Sequence, residues 1–251
     1  PCASAVSRLS AAAVGAALDE LGDARFRQRV ESTRLLLGQQ PADEVVWQGL
    51  LEALGYGGDR SGLRALALRL PWRQLSQSLR RLRAPERREE ARRLVLTAAA
   101  TALPGAAPAA RPGNENRRRL EGAACLAARC CASGLAAGLA ALVPRGAAAL
   151  VAGLTVAGPA GERGYIGRGR ALEIAVNVVL PYAVAAGAAP LAWQAQALYA
   201  RLPRPAAYGA VRHLDRAVAG GLRVDGRRQQ GMLHLLRRYC SQGACGRCPL
   251  S

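Results

Sequence analysis

The last thirteen residues, YCSQGACGRCPLS, hold Cys240, Cys245 and Cys248 in a C-x4-C-x2-C spacing. Thiolates are the ligands that zinc and iron–sulfur clusters take, and this is the spacing of the first three ligands in plant-type iron–sulfur proteins. Gly243 and Gly246 would let the backbone wrap while the sulfurs converge. Three thiolates leave a tetrahedral zinc site or a four-cysteine cluster one ligand short. Upstream donors are Cys2, Cys125, Cys130, Cys131, His213 and His234. Two plainer readings stand beside this one. The thiols of the tail are reduced and without a ligand, or Cys245 and Cys248 form a redox pair, although they lack the strand–helix setting of such pairs. Cys125, Cys130 and Cys131 lie in an alanine-rich helical pattern and read as small buried residues.

Two arginine-rich segments suit anions. GERGYIGRGR, residues 161–170, alternates Gly167 and Gly169 with Arg168 and Arg170 just ahead of a helix, where free N–H groups and guanidinium groups fit a phosphate. It follows no strand, so neither a dinucleotide fold nor a P-loop is supported. ARPGNENRRRLEG crowds Arg111, Asn114, Arg117, Arg118 and Arg119 into a loop and a helix start, where cations oppose the helix dipole unless an anion is near. The phosphate-binding candidates are Arg111, Asn114, Arg118, Arg168 and Arg170. The competing reading is a pair of solvated basic loops, with Glu115 and Glu121 as partial counter-charges. Glu173 and Asn177, four apart on an apolar helix, are expected to form a buried network with Arg168 or Arg170. No Ser–His–Asp pattern, HExxH or paired-carboxylate motif is present, so no catalytic residues are expected within the chain.

The chain that must position these residues is 251 residues long, enough to bury a core without disulfides. Its 35 basic residues are all arginine and face only 17 acids, a net charge of +18. The absence of lysine reads as coding bias. The excess of bases does not, and it points to nucleic acid or to an acidic protein surface. Seven cysteines, two of them adjacent, are not a disulfide framework, so a reducing, cytoplasmic compartment is expected. The opening at Pro1 reads as a fragment boundary. The apolar stretches 120–158 and 174–190 are interrupted by Arg, Asn and Pro and are expected to be buried helices rather than membrane spans.

Periodicity is helical nearly throughout, which predicts an all-α fold, an irregular array of about ten helices. A helix is expected from Ser4 to Leu21, ending near Gly22, with Asp23 capping the next. Pro41 opens a helix that places Val46, Leu50 and Leu54 four apart and stops at Gly55. In PERREEARR the arginines can pair with acids three and four residues earlier. The Pro/Gly-rich stretch 104–116 divides an N-terminal helical subdomain, 1–103, from a C-terminal one, 117–251. A single long helix is expected from Arg117 to about Leu142. Near the end, Met232, Leu235, Leu236 and Tyr239 form an apolar stripe that turns Cys240 inward and His234 outward.

The strings LLEALGYGGDRSGLRALALRLPW, RPGNENRRRL, IGRGRALEIAVNVVLPYA and RRQQGMLHLLRRYCSQGACGRCPL, with Pro1–Cys2, together resemble the C-terminal half of an uncharacterised bacterial family, domain-of-unknown-function family 2851. Asn116, Asp59 and Gly62–Leu63 depart from that pattern. The resemblance implies a helical half that follows an N-terminal half with strand motifs like those of the PD-(D/E)xK nuclease fold. The catalytic carboxylates would then lie outside this chain, and the missing domain would be a partner. It also favours Cys2 as the fourth ligand of the tail. The function expected is a non-catalytic module that binds nucleic acid through arginine and holds zinc or an iron–sulfur cluster. The alternative is an interaction module that packs on the missing domain. No small-molecule substrate and no membrane are expected.

Overall fold

In the computed structural model, which describes residues 6, 8–55, 59–102, 116–160, 163–205, 208–218 and 221–251, the fold is an all-α multi-helix array, as the periodicity predicts. The helices are α1 (Ala11–Leu37), α2 (Ala42–Leu54), α3 (Arg60–Arg69), α4 (Trp72–Arg80), α5 (Ala84–Ala102) and α6 (Asn116–Cys130). They continue as α7 (Leu135–Ala140), α8 (Gly146–Leu154), α9 (Arg168–Ala186), α10 (Ala189–Tyr199), α11 (Arg212–Val218) and α12 (Gly226–Arg238). Among the described residues the only extended pairing is an antiparallel bridge, Val156 to Ile166, which closes the loop between α8 and α9.

The buried apolar side chains form two clusters. The main one draws on Phe26 and Val30 of α1 and on α2 through α10, with Trp47, Leu50, Leu54 and Leu126 fully buried. It includes Val95 and Leu120, from either side of 104–116, and α5 packs along α6. The smaller cluster joins the two ends of the sequence: Val14, Leu18 and Leu21 of α1 against Val211, Leu214, Met232, Leu235 and Leu250. Helix α1 thus runs through both.

Three local expectations need correction. No helix ends at Gly22. Ser10 caps α1 through the Ala13 N–H at 3.1 Å, and the helix runs unbroken to Leu37. Gly22 is there for close approach, since a Cβ would collide with the carbonyl of Arg227 on α12. Asp23 does not cap a helix but pairs with Arg227. The helix from Arg117 is not continuous to Leu142 either. It breaks after Cys130, Gly134 takes φ +87°, and α7 restarts with the Asp43 carboxylate accepting the Ala136 N–H at 2.8 Å. Leu135–Leu154 and Arg168–Ala186 are, by length and composition, apolar enough to cross a bilayer, a test that buried core helices also pass. In the fold the first is broken by the 3-10 turn Val143–Arg145 and by Gly146 at φ +87°. The second is 72% buried and carries Glu173 and Asn177.

Candidate functional site

Two of the arginines expected to bind phosphate, Arg118 and Arg170, are engaged by the protein itself. Arg118 donates to the carbonyl of Arg163, which brings the start of α6 onto the loop before α9. Arg119, 3% exposed, donates to the Leu54 carbonyl at 2.8 Å, and Arg170 donates to the Ala53 carbonyl at 3.3 Å and pairs with Glu173. Two guanidinium groups therefore satisfy the open carbonyls at the C-terminus of α2, where the helix dipole favours cations. Burial and the neighbouring Arg170 pull Arg119 down to about 10. Burial pushes the Glu173 carboxyl above its ordinary value, opposed by Arg170, by a hydrogen bond from Tyr208 and by Arg119. The Asn177 amide donates to the Glu173 carbonyl at 2.9 Å. This is the polar network expected around Glu173, with Arg170 as the partner. Arg168 is exposed at the first turn of α9. Arg111 and Asn114 lie outside the described residues.

A different basic feature emerges between α1, α2, α3, α9 and the end of α12. A cleft of about 470 Å³ is lined by Arg25 and Arg29 of α1, Arg60 and Arg64 of α3, and Arg237 of α12. Five guanidinium groups meet one carboxylate there, Glu52, which is paired with Arg60. The floor is formed by Val45, Val46, Asn177 and Val178, with Gln48 and Tyr182 beside them. Asn177 is carried on a π-helical turn, Ala175–Val179, inside α9. Such one-residue insertions re-aim side chains and recur at functional sites. Arg25 is 5% exposed and is oriented by Gln230, whose carbonyl accepts its Nε–H at 2.7 Å. His234, expected to be exposed, is half-buried near this end. Burial, Arg25, Arg238 and Arg237 lower its pKa.

These residues escaped the sequence reading because they come from helices far apart in the chain. The available signal was spacing: Arg25/Arg29 and Arg60/Arg64 are each four apart, which puts each pair on one helical face. The wider charge balance adds to it. Asp19, Asp23, Glu31, Glu89, Glu90, Glu121 and Asp215 each pair with an arginine. Asp43, Glu44, Asp59, Glu86 and Asp225 accept backbone N–H groups at helix starts. Acids are thus consumed within the fold, and Arg64, Arg88, Arg168, Arg216, Arg237 and Arg238 stand exposed.

The tail cysteines share one cavity. Cys240, Cys245 and Cys248 line about 560 Å³ of space together with Val6, Arg8 and Leu9 from the start of the chain and Leu214, Leu235 and Leu250. Cys240 follows α12 in a 3-10 turn, and Gly243 and Gly246 take φ +64° and +89°, the left-handed values that let the loop fold back. Cys240 and Cys248 are half-buried against the smaller cluster and Cys245 is exposed. Among the described residues no group of three or more His, Cys, Asp or Glu is gathered so that it could hold a metal ion. Cys2 lies outside those residues. Of the other donors, Cys125, Cys130 and Cys131 belong to the main cluster, not to the tail. Burial pushes the Cys130 thiol up to about 11, and Cys131 donates to the Ala128 carbonyl at 3.3 Å, so both are inert core residues. Compared with known proteins, the chain matches no family model, no curated protein and no solved structure.

Proposed function

We propose that this chain is a non-catalytic helical module that binds nucleic acid through its arginines, the helical half of a longer protein as the resemblance implies. The observation that carries the reading is the cleft, where five guanidinium groups from three helices face one carboxylate that is already paired. Phosphodiester backbones supply the complementary charge at regular spacing, and exposed arginines around the cleft extend the footprint. The test is affinity for a labelled oligonucleotide as a function of salt, with the native chain and an Arg64→Glu/Arg237→Glu variant. Affinity that falls steeply with salt, and less steeply in the variant, supports the reading. Weak binding insensitive to salt would leave the basic surface to an acidic protein partner instead.

The tail belongs to the same proposal as the holder of a zinc ion or an iron–sulfur cluster. Cys240, Cys245 and Cys248 are its ligands, and Cys2 is the fourth. Two observations support it: the three thiols line one cavity, and the first described residues of the chain line it too. Bound there, the group would be a staple between the two ends of the sequence. The residues contribute thiolate donors and an apolar wall of Leu214, Leu235 and Leu250 that excludes water from the inner side.

A further inference from the structure

We infer that the arginine cleft takes one unstacked nucleotide, so that the nucleic acid bound is single-stranded; this rests on the nucleic-acid reading above. The cleft is graded from rim to floor. Arg60, Arg64 and Arg237 are exposed at its edge, whereas Arg25, Asn177 and Val178 are 5%, 7% and 6% exposed at its base, beside half-buried Tyr182. A ligand of phosphate alone needs the guanidinium groups and has no use for Val178 or the Tyr182 ring. A nucleotide uses both, with its phosphate among the guanidinium groups and its base against an aromatic ring, an amide and apolar carbon. Single-stranded nucleic acid is recognised in this way, by splayed bases stacked on aromatic side chains above a basic groove.

Size makes the same selection. A cavity of about 470 Å³ falls in the range that holds one small molecule and is far too narrow to admit a duplex. The floor is also fixed in place. Asn177 spends one amide N–H on the Glu173 carbonyl at 2.9 Å, which sets its orientation and leaves its carbonyl oxygen for a base edge. Gly49 of α2 packs against Val178, where an added Cβ would lie 3.1 Å from Cγ1, so the two helices that form the floor sit close together.

The experiment is fluorescence anisotropy on the whole chain at one salt concentration, with a labelled single-stranded oligonucleotide of mixed sequence and the same sequence as a blunt duplex. Expected is a preference of roughly ten-fold or more for the single strand, the size of one stacked base. Tyr182→Ala should remove about ten-fold of single-strand affinity and leave the salt slope unchanged, because it touches no phosphate. Tyr182→Phe, which keeps the ring and the packing, should retain native affinity. It serves as the control should Tyr182→Ala unfold. Asn177→Ala gives the second reading of the floor and should also weaken the single strand. Equal or tighter binding of the duplex overturns the inference and leaves the nucleic-acid reading standing. So does native single-strand affinity in folded Tyr182→Ala, or loss of affinity in folded Tyr182→Phe. Binding of neither polymer overturns both.

Discussion

At the residue scale, guanidinium groups do two kinds of work. One kind is internal. Arg119 and Arg170 serve the end of α2, Arg129 donates to the Gly153 carbonyl at 2.6 Å, and Arg80 donates to the Cys131 carbonyl at 3.2 Å. Each guanidinium brings five donors in a fixed plane, so one side chain can serve a helix end and an acid together. The other kind faces outward, and His234 reports on it. Burial and the three nearby arginines hold its folded pKa below the ordinary 6.5. The unfolded chain therefore binds the proton more readily than the folded one. The contribution of His234 to stability is whole above pH 6.5 and is lost as the pH falls through that value toward the lowered one. His234→Gln should flatten this part of the stability profile, measured as urea midpoints between pH 7.5 and 5. An unchanged profile would mean that the histidine does not sense those charges. The cysteines are tested at the same scale. Iron, zinc and sulfide assays on anaerobically purified protein should find metal in the native chain and less in Cys245→Ser. No metal in the native chain removes the staple, and full retention in the variant removes Cys245 from the ligand set.

At the element scale, the packing of α1 on α12 depends on glycine. A Cβ on Gly231 would collide with the carbonyl of Leu18, and one on Gly22 with that of Arg227. Alanine improves helix propensity by about 1 kcal/mol, but overpacking costs 1–3 kcal/mol and here strikes backbone, which cannot rotate away. Gly231→Ala should therefore lower the thermal midpoint. Gly167→Ala, at φ −82° with nothing within 4 Å of the added carbon, should lower it far less, since only the preference for glycine over alanine at an N-cap is lost. Helix existence was legible in the sequence because periodicity is a local property. Val46, Leu50 and Leu54 are 1%, 0% and 0% exposed, as their spacing demands, and Arg92 and Arg93 reach Glu89 and Glu90. Misreadings arose where a local signal serves a distant partner. Gly22 looks like a stop and is a contact surface. Asp43 and Glu44 look like acids for their own first turn. Instead Asp43 caps α7, and Glu44 accepts the N–H groups of Trp72 and Arg73 at 2.7 and 2.8 Å, capping α4. No pattern within a window of one helix encodes such pairings.

At the scale of the whole molecule, charge and connectivity govern behaviour. An excess of 35 basic over 17 acidic residues, with most acids already engaged, predicts a salt slope set by the arginines that meet phosphates. For single strands log K falls with log salt by about 0.7 per contact, so the Arg64→Glu/Arg237→Glu variant should lose roughly 1.4 from the slope. A slope that does not change would move the binding surface away from the cleft. The fold class was legible in periodicity and the basic character in composition. The site was not, because Arg25, Arg60, Asn177 and Arg237 meet only after five helices have packed, and Arg118 and Arg170, which looked suited to phosphate, donate to carbonyls of the protein itself. The tail was legible as a set of ligand types, and its cavity with Val6 and Leu9 became visible only in three dimensions.

The clasp between α1 and α12 spans over 200 positions: Asp19 pairs with Arg228 and Asp23 with Arg227, at separations of 209 and 204 residues. Ribosomes deliver α1 ahead of the other helices described and α12 after them. Until residues 211–250 emerge, Val14, Leu18 and Leu21 lack their partners in the smaller cluster, so this half of the helix must wait, shielded by chaperone or transient collapse. Closure of the smaller cluster thus reports that synthesis has passed α12, since a nascent chain that stalls before it exposes an apolar stripe by which quality-control machinery can recognise it.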